Sequence, residues 1–226
     1  MSQQVSLLEK IEQLFNEAKL KVHKDKSGIV ALLSPEHPFT GSLVTHVAET
    51  PTYIVSATYC MKQTEQKTFN YYNIDKDNLP VAYELTNLLT LHYLEGCINV
   101  SLQPERIVFS QRFDKEIYKK PSQIFETIVN CGLDKGMLLS ALVPVLANKL
   151  EEGMTALKLG DLLLNEYLTR VYSLGSLWAA YQTKKKLDVT EAKKILSEMK
   201  EKCPCFLFKV EALEKEFFPK EEKKDE

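Results

Sequence analysis

Hydrophobic positions along the chain change period several times, and each change marks an element. Ser6 followed by Glu9 reads as a capping box. Leu7, Leu8, Ile11, Leu14, Phe15 and Ala18 then recur at helical spacing and predict a helix over about 5 to 19. "KDKSG" at 24 to 28 is turn chemistry between the short runs "LKVH" and "GIVALLS", and "PEHPFTG" is a second break. Three strand-like runs follow: "SLVTHVAE", "YIVSATYCM" and "KTFNYYNI". They suit an antiparallel meander with one covered face.

"DNLPVAYELTNLLTLHYLEG" predicts the next helix, with Asn78 as its cap, Pro80 in its first turn and Gly96 as a left-handed terminator. Its apolar residues fall on two sides, which predicts burial in a core or at an interface. "CINVSL" and "RIVFSQRF" around "QPER" then read as a hairpin. Alternation puts Ile98 and Val100 on one face, and Ile107 and Phe109 on one face of the return strand. Helices are expected over 121 to 133 and 136 to 152, with "CGLDKG" as the turn between them and Pro144 kinking the second. Further helices are predicted over 155 to 183, from Asp188 to about 202, and over "FLFKVEALEKEFF".

The predicted class is therefore α+β: helix, antiparallel β-meander, helix, β-hairpin, helix, then an all-helical C-terminal extension. The division expected is a mixed domain over 1–153, a helical extension over 154–218 and a charged, mobile tail over 219–226.

The 226 residues are long enough to bury a sizeable core. Formal net charge is -2, so no large basic excess advertises a nucleic-acid surface. The one basic run, Lys184 to Lys186, has the place of a solvated helix end. The start lacks the cationic and apolar regions of a signal peptide. The most apolar window, 162 to 181, carries Asn165, Glu166 and Arg170 and makes a poor bilayer span. Cys60, Cys97, Cys131, Cys203 and Cys205 are odd in number and irregularly spaced, which fits reduced thiols in a cytoplasmic protein.

Catalytic signatures are missing. No phosphate-binding glycine loop and no G-x-S-x-G elbow occurs. His23, His37, His46 and His92 have no evident nucleophile or orienting acid nearby in sequence. Cys203-Pro204-Cys205 has the wrong spacing for paired metal ligands and reads as two thiols packed between helices. No catalytic, cofactor-binding or metal-ligating residue is assigned. Apolar side chains remain: Leu164, Leu168, Val171, Trp178 and Tyr181 form a stripe that either packs on the first domain or presents a protein-interaction surface.

"YELTNLLTLHYLEG", "CINVSLQPERIVFSQRFD" and "SQIFETIVNCGLDKG", in that order, resemble the YbjN-type domain, whose fold is shared with class I chaperones of type III secretion. The resemblance covers about residues 5 to 152 and rests on element order. It implies a non-enzymatic protein-binding protein, chaperone-like or an adaptor, with a protein client and with homodimerisation as a family habit. The alternatives are a regulatory interaction module with no secreted client, and an enzyme whose site is assembled from scattered residues.

Overall fold

The computed structural model describes residues 6–34, 39–63, 69–91, 96–102, 105–184 and 187–219. The chain divides into two compact units, Met1–Glu152 and Gly153–Glu226.

The first unit is α+β. Helix α1 (Leu7–Glu17) starts on the predicted capping box: Ser6 Oγ accepts from the Glu9 amide, and the Glu9 carboxylate accepts from the Ser6 amide. Strands β1 (Lys21–Asp25), β2 (Gly28–Ser34), β3 (Ser42–Glu49), β4 (Tyr53–Gln63) and β5 (Phe69–Tyr71) follow. After a 3-10 turn come α2 (Leu79–Thr90), β6 (Cys97–Leu102), β7 (Glu105–Asp114) and α3 (Pro121–Leu146). The sheet is antiparallel, in the order β1-β2-β3-β4-β7-β6. β4 is long enough to serve two neighbours: Tyr53 to Thr58 pair with β7, and Met61 to Gln63 pair with β5. The third meander strand is thus shorter than "KTFNYYNI" predicts. Hairpin β6–β7 pairs Ile98 with Phe109 and Val100 with Ile107, which places all four on one covered face.

Helix α3 lies on that inner face. A turn is expected at "CGLDKG", yet one helix runs through it. The reason is tertiary. A Cβ at Gly132 would stand 2.8 Å from Leu33 Cδ1, and one at Gly136 would stand 2.2 Å from Leu43 Cδ1. The two glycines let the helix backbone sit close on β2 and β3, and that packing offsets the roughly 1 kcal/mol helix penalty of each glycine. The inner face also carries small polar residues, Thr45, Ser56 and Thr58, all buried; Thr58 lies against Gly132, and its hydroxyl donates to that of Thr45. By length and composition α3 could cross a membrane, but it is mostly buried as the core helix here. Pro144 falls in its last turn and does not start a new helix.

Asn78 does not cap α2 through its side chain. Its amide instead donates to the carbonyls of Leu146 (3.0 Å) and Asn148 (2.6 Å), and the Asp75 amide also reaches Leu146. The carbonyl of Leu146, the last residue of α3, has no partner within the helix, and Asn78 and Asp75 satisfy it. α2 buries one face, Ala82, Leu85, Thr86 and Leu89, while Leu91 is 81% exposed, so the second apolar side is not covered. Helix α2 ends before Gly96, which is not left-handed. Close approach explains that glycine: a Cβ there would meet the Ser110 carbonyl at 2.6 Å. Residues 92–95, the hairpin tip 103–104 and His37 lie outside the described residues.

The second unit is helical. α4 (Ala156–Asp161), a π-helical stretch (Leu162–Leu168) and α5 (Thr169–Lys184) follow one another without a break. Helices α6 (Val189–Lys202) and α7 (Leu207–Phe217) are joined by a 3-10 turn at Pro204–Phe206. Asp188 caps α6 by accepting from the Glu191 amide, as its sequence predicts. Leu163, Tyr167, Val171, Leu174, Leu196, Met199, Phe206, Val210 and Leu213 are buried.

Gly28 opens β2 with φ +147°, and a Cβ there would stand 2.2 Å from the Val47 carbonyl oxygen. Gly28→Ala combines backbone strain with a clash against a central strand. It should cost about 3 kcal/mol, and calorimetry should show a melting midpoint lower by roughly 6–12 °C.

Candidate binding face

Strand alternation gives the sheet a second side, opposite α1 and α3. β4 presents Tyr53, Val55, Ala57 and Tyr59 there, all half-buried. β2 adds Val30 and Leu32, β3 adds Val44 and His46, and β7 adds Arg106, Val108, Ser110 and Arg112. Val44 and Val108 are buried, whereas Arg112 is exposed. The centre of this face is a shallow apolar floor of Val55 and Ala57.

Each end of the floor carries a tyrosine–arginine pair. The Arg112 guanidinium lies 4.6 Å from the centre of the Tyr53 ring. That of Arg106 lies 3.7 Å from the Tyr71 ring, which meets Tyr59 edge-on at 5.5 Å. Such stacking holds a guanidinium in place without neutralising it. Neither arginine forms an ion pair among the described residues, and Arg106 Nε is buried without a hydrogen-bond partner. Burial, then the neighbouring Tyr71, raises the Tyr59 phenol. Beside the floor, Asn99 donates to Ser110 Oγ at 2.7 Å, and Cys97 Sγ lies 3.2 Å from that same oxygen.

Two other clusters have catalytic residue types. His46 Nε2 lies 3.2 Å from Ser27 Oγ, a neighbour that sequence distance hides. The order is wrong for nucleophile activation, because Ser27 donates its proton to Asp25 at 2.5 Å and not to the imidazole. Asp25 also accepts from the amides of Ser27 and Gly28, so the trio closes the β1–β2 turn. The Ser27 hydroxyl, foremost, holds the Asp25 carboxyl below its ordinary range. Between α6 and α7 lies an open groove of about 670 Å³ lined by Lys193, Ser197, Lys200, Glu211, Glu214, Lys215 and Phe218. Lys200 already donates to both Glu214 oxygens at 2.7 Å. Among the described residues, no group of three or more His, Cys, Asp or Glu side chains is placed to hold a metal ion.

The apolar stripe of the helical unit is distributed as follows. Leu168 and Val171 are buried, and Leu164 is half-buried. Trp178 packs on Phe217 at 5.2 Å and on Tyr181 at 5.7 Å, and Tyr181 is exposed. Tyr167, which that stripe leaves out, is the largest fully buried side chain among the described residues and packs on Phe206 at 4.7 Å. Among the described residues its hydroxyl has no hydrogen-bond partner. Burial pushes the phenol far up, and the nearby Cys203 adds to it. Arg170 bridges the helices beside it, donating to Glu166 at 2.8 Å and lying 3.4 Å from Glu198. The sheet-face residues Tyr53, Tyr59, Tyr71, Arg106 and Arg112 are absent from the sequence-predicted set. Their signal was the second parity of "YIVSATYCM" and "RIVFSQRF", where aromatic and cationic residues share one side.

No family model, no curated protein and no solved structure matches the chain.

Two outcomes test the helical unit, and the chain's single tryptophan, Trp178, reports on it. Tyr167→Phe removes a buried hydroxyl that has no partner, so the urea midpoint of the Trp178 fluorescence transition should rise, by about 1 kcal/mol in stability. Burial pushes the Cys203 thiol from 9.0 up to about 11. The folded state then keeps a proton that the unfolded state has lost, and stability falls as pH rises through this window. The stability difference between the parent chain and Cys203→Ala should hold constant below pH 9 and shrink toward pH 11.

Proposed function

We propose that the chain is a non-enzymatic protein-binding protein, chaperone-like or an adaptor, that works in the cytoplasm through the outer face of its sheet. The carrying observation is the face itself. Val30 and Leu32 of β2 and Val55, Ala57 and Tyr59 of β4 are only half-buried on one side of an antiparallel sheet, with Val44 of β3 joining Leu32 to Tyr59 and His46 standing between Val30 and Ala57. A contiguous apolar area rimmed by polar groups is the usual form of a protein-interaction site. The element order of the first unit, and through it the resemblance to secretion chaperones, supports the same reading. A type III secretion client is one form such a partner takes.

The full chain, immobilised and panned against a random dodecapeptide display library, tests this reading. Enrichment of one sequence class is expected, with binding abolished by Ala57→Trp, which fills the floor with an indole. A library that yields no enriched class, or enriched peptides that bind the Ala57→Trp chain equally well, overturns it.

A further inference from the structure

We infer that the occupant of the outer sheet face is an extended acidic protein segment, with two carboxylates about six residues apart flanking apolar side chains. This rests on the reading of that face as a protein-binding surface and names its partner's chemistry.

The argument starts from spacing. Arg106 and Arg112 are six positions apart on β7, with Tyr71 of β5 and Tyr53 of β4 as their ring partners. At about 3.3 Å per residue, the two tyrosine–arginine pairs stand ~20 Å apart along the strands. An extended peptide crosses that span in about six residues. Between the pairs the surface changes character. Val55 and Ala57 offer small apolar side chains, with Val44 and Val108 buried beside them. A segment lying along β4 and β7 therefore meets a cation, an apolar floor and a second cation.

Charge decides the chemistry of the ends. Arg106 and Arg112 are both held by tyrosine rings and lack carboxylate partners among the described residues. A guanidinium fixed in this way keeps its bidentate donors for an incoming carboxylate, with little side-chain entropy left to lose. The other charged groups on this side are Lys21, His23, Asp25, His46 and Asp114. Asp25 is taken up by the Ser27 turn, and Asp114 accepts from the Glu116 amide. Nucleic acid would need ring faces for base stacking. Here guanidiniums already stack on Tyr53 and Tyr71. A strand added to the β6 edge is also disfavoured. The Thr90 hydroxyl occupies that edge at Ile98, donating to its carbonyl at 2.7 Å and accepting from its amide at 3.0 Å.

The same display experiment carries the test, with the enriched peptides then synthesised and measured by fluorescence anisotropy on the full chain. The expected class has two acidic positions five to seven apart around an apolar centre. The double variant Arg106→Gln, Arg112→Gln should weaken binding at least about tenfold, as loss of a charge-assisted pair does. Added salt should narrow that gap. Arg112→Gln alone, at an exposed position, provides a variant whose fold is not at stake, and circular dichroism checks both. Peptides that lack acidic bias, or that bind the arginine variants as tightly while Ala57→Trp still abolishes binding, overturn the acidic segment and leave the binding face standing. Insensitivity to Ala57→Trp sinks the face as well. A twelve-residue oligouridylate that binds the parent chain and is lost from the double variant puts nucleic acid there instead. A dimer seen by sedimentation and dissolved by Ala57→Trp puts a second copy there. Either result overturns the proposal.

Discussion

The approach of α3 to β2 and β3 sets the geometry of the mixed unit. Without side chains at Gly132 and Gly136, the helix backbone comes down onto Leu33 and Leu43 until no Cβ would fit. Thr58 is the small group against Gly132, and Thr45 and Ser56 are buried on the same face of the sheet. The inner face is thereby closed, dense and partly polar. Close packing of this kind tolerates little change of volume on either partner. The outer parity of the same strands carries none of that constraint, and there the chain places tyrosine and arginine.

Much of the fold was legible because strand alternation and helix caps are local signals. The Ser6–Glu9 box, the Asp188 cap and the shared faces of Ile98 with Val100 and of Ile107 with Phe109 needed no knowledge of distant residues. The misreadings share a cause. Gly132 and Gly136 look like a turn when only neighbours in sequence are considered, and a sheet overrides that preference. Asn78 looks like a cap until a carbonyl from a remote helix end claims its amide. Gly96 looks like a left-handed stop until β7 is seen against it. Leu162–Leu168 leaves the α-helical spiral, and periodicity alone does not foretell a π-helical turn. The outer face was missed for another reason: attention to the covered parity discards the alternate residues, and those hold the tyrosine–arginine pairs.

The two ends of that face use one device. A tyrosine ring takes the flat side of a guanidinium, and the hydrogen-bonding rim stays available. An arginine paired to a carboxylate of its own chain would have to give up that partner before binding another. Among the described residues these two have no such partner to give up, so binding to them would displace water and not a native ion pair. The trio at the β1–β2 turn shows the contrary case. Asp25 is fully engaged by its neighbours, and its charge shapes a hairpin and attracts no visitor.

The amide of Asn78 has a temporal consequence. Its two acceptors lie 68 and 70 residues further along the chain. During synthesis the meander and α2 leave the ribosome well before Leu146 and Asn148 exist to be bonded. At elongation rates of about 5–20 residues per second, that interval lasts several seconds. For that time the nascent sheet has no α3 over its inner face, and apolar surface later sealed by α3 stands open. The mixed unit therefore reaches completion at one late event, the arrival of its last helix. Nascent-chain holding factors have their opportunity in the seconds before it.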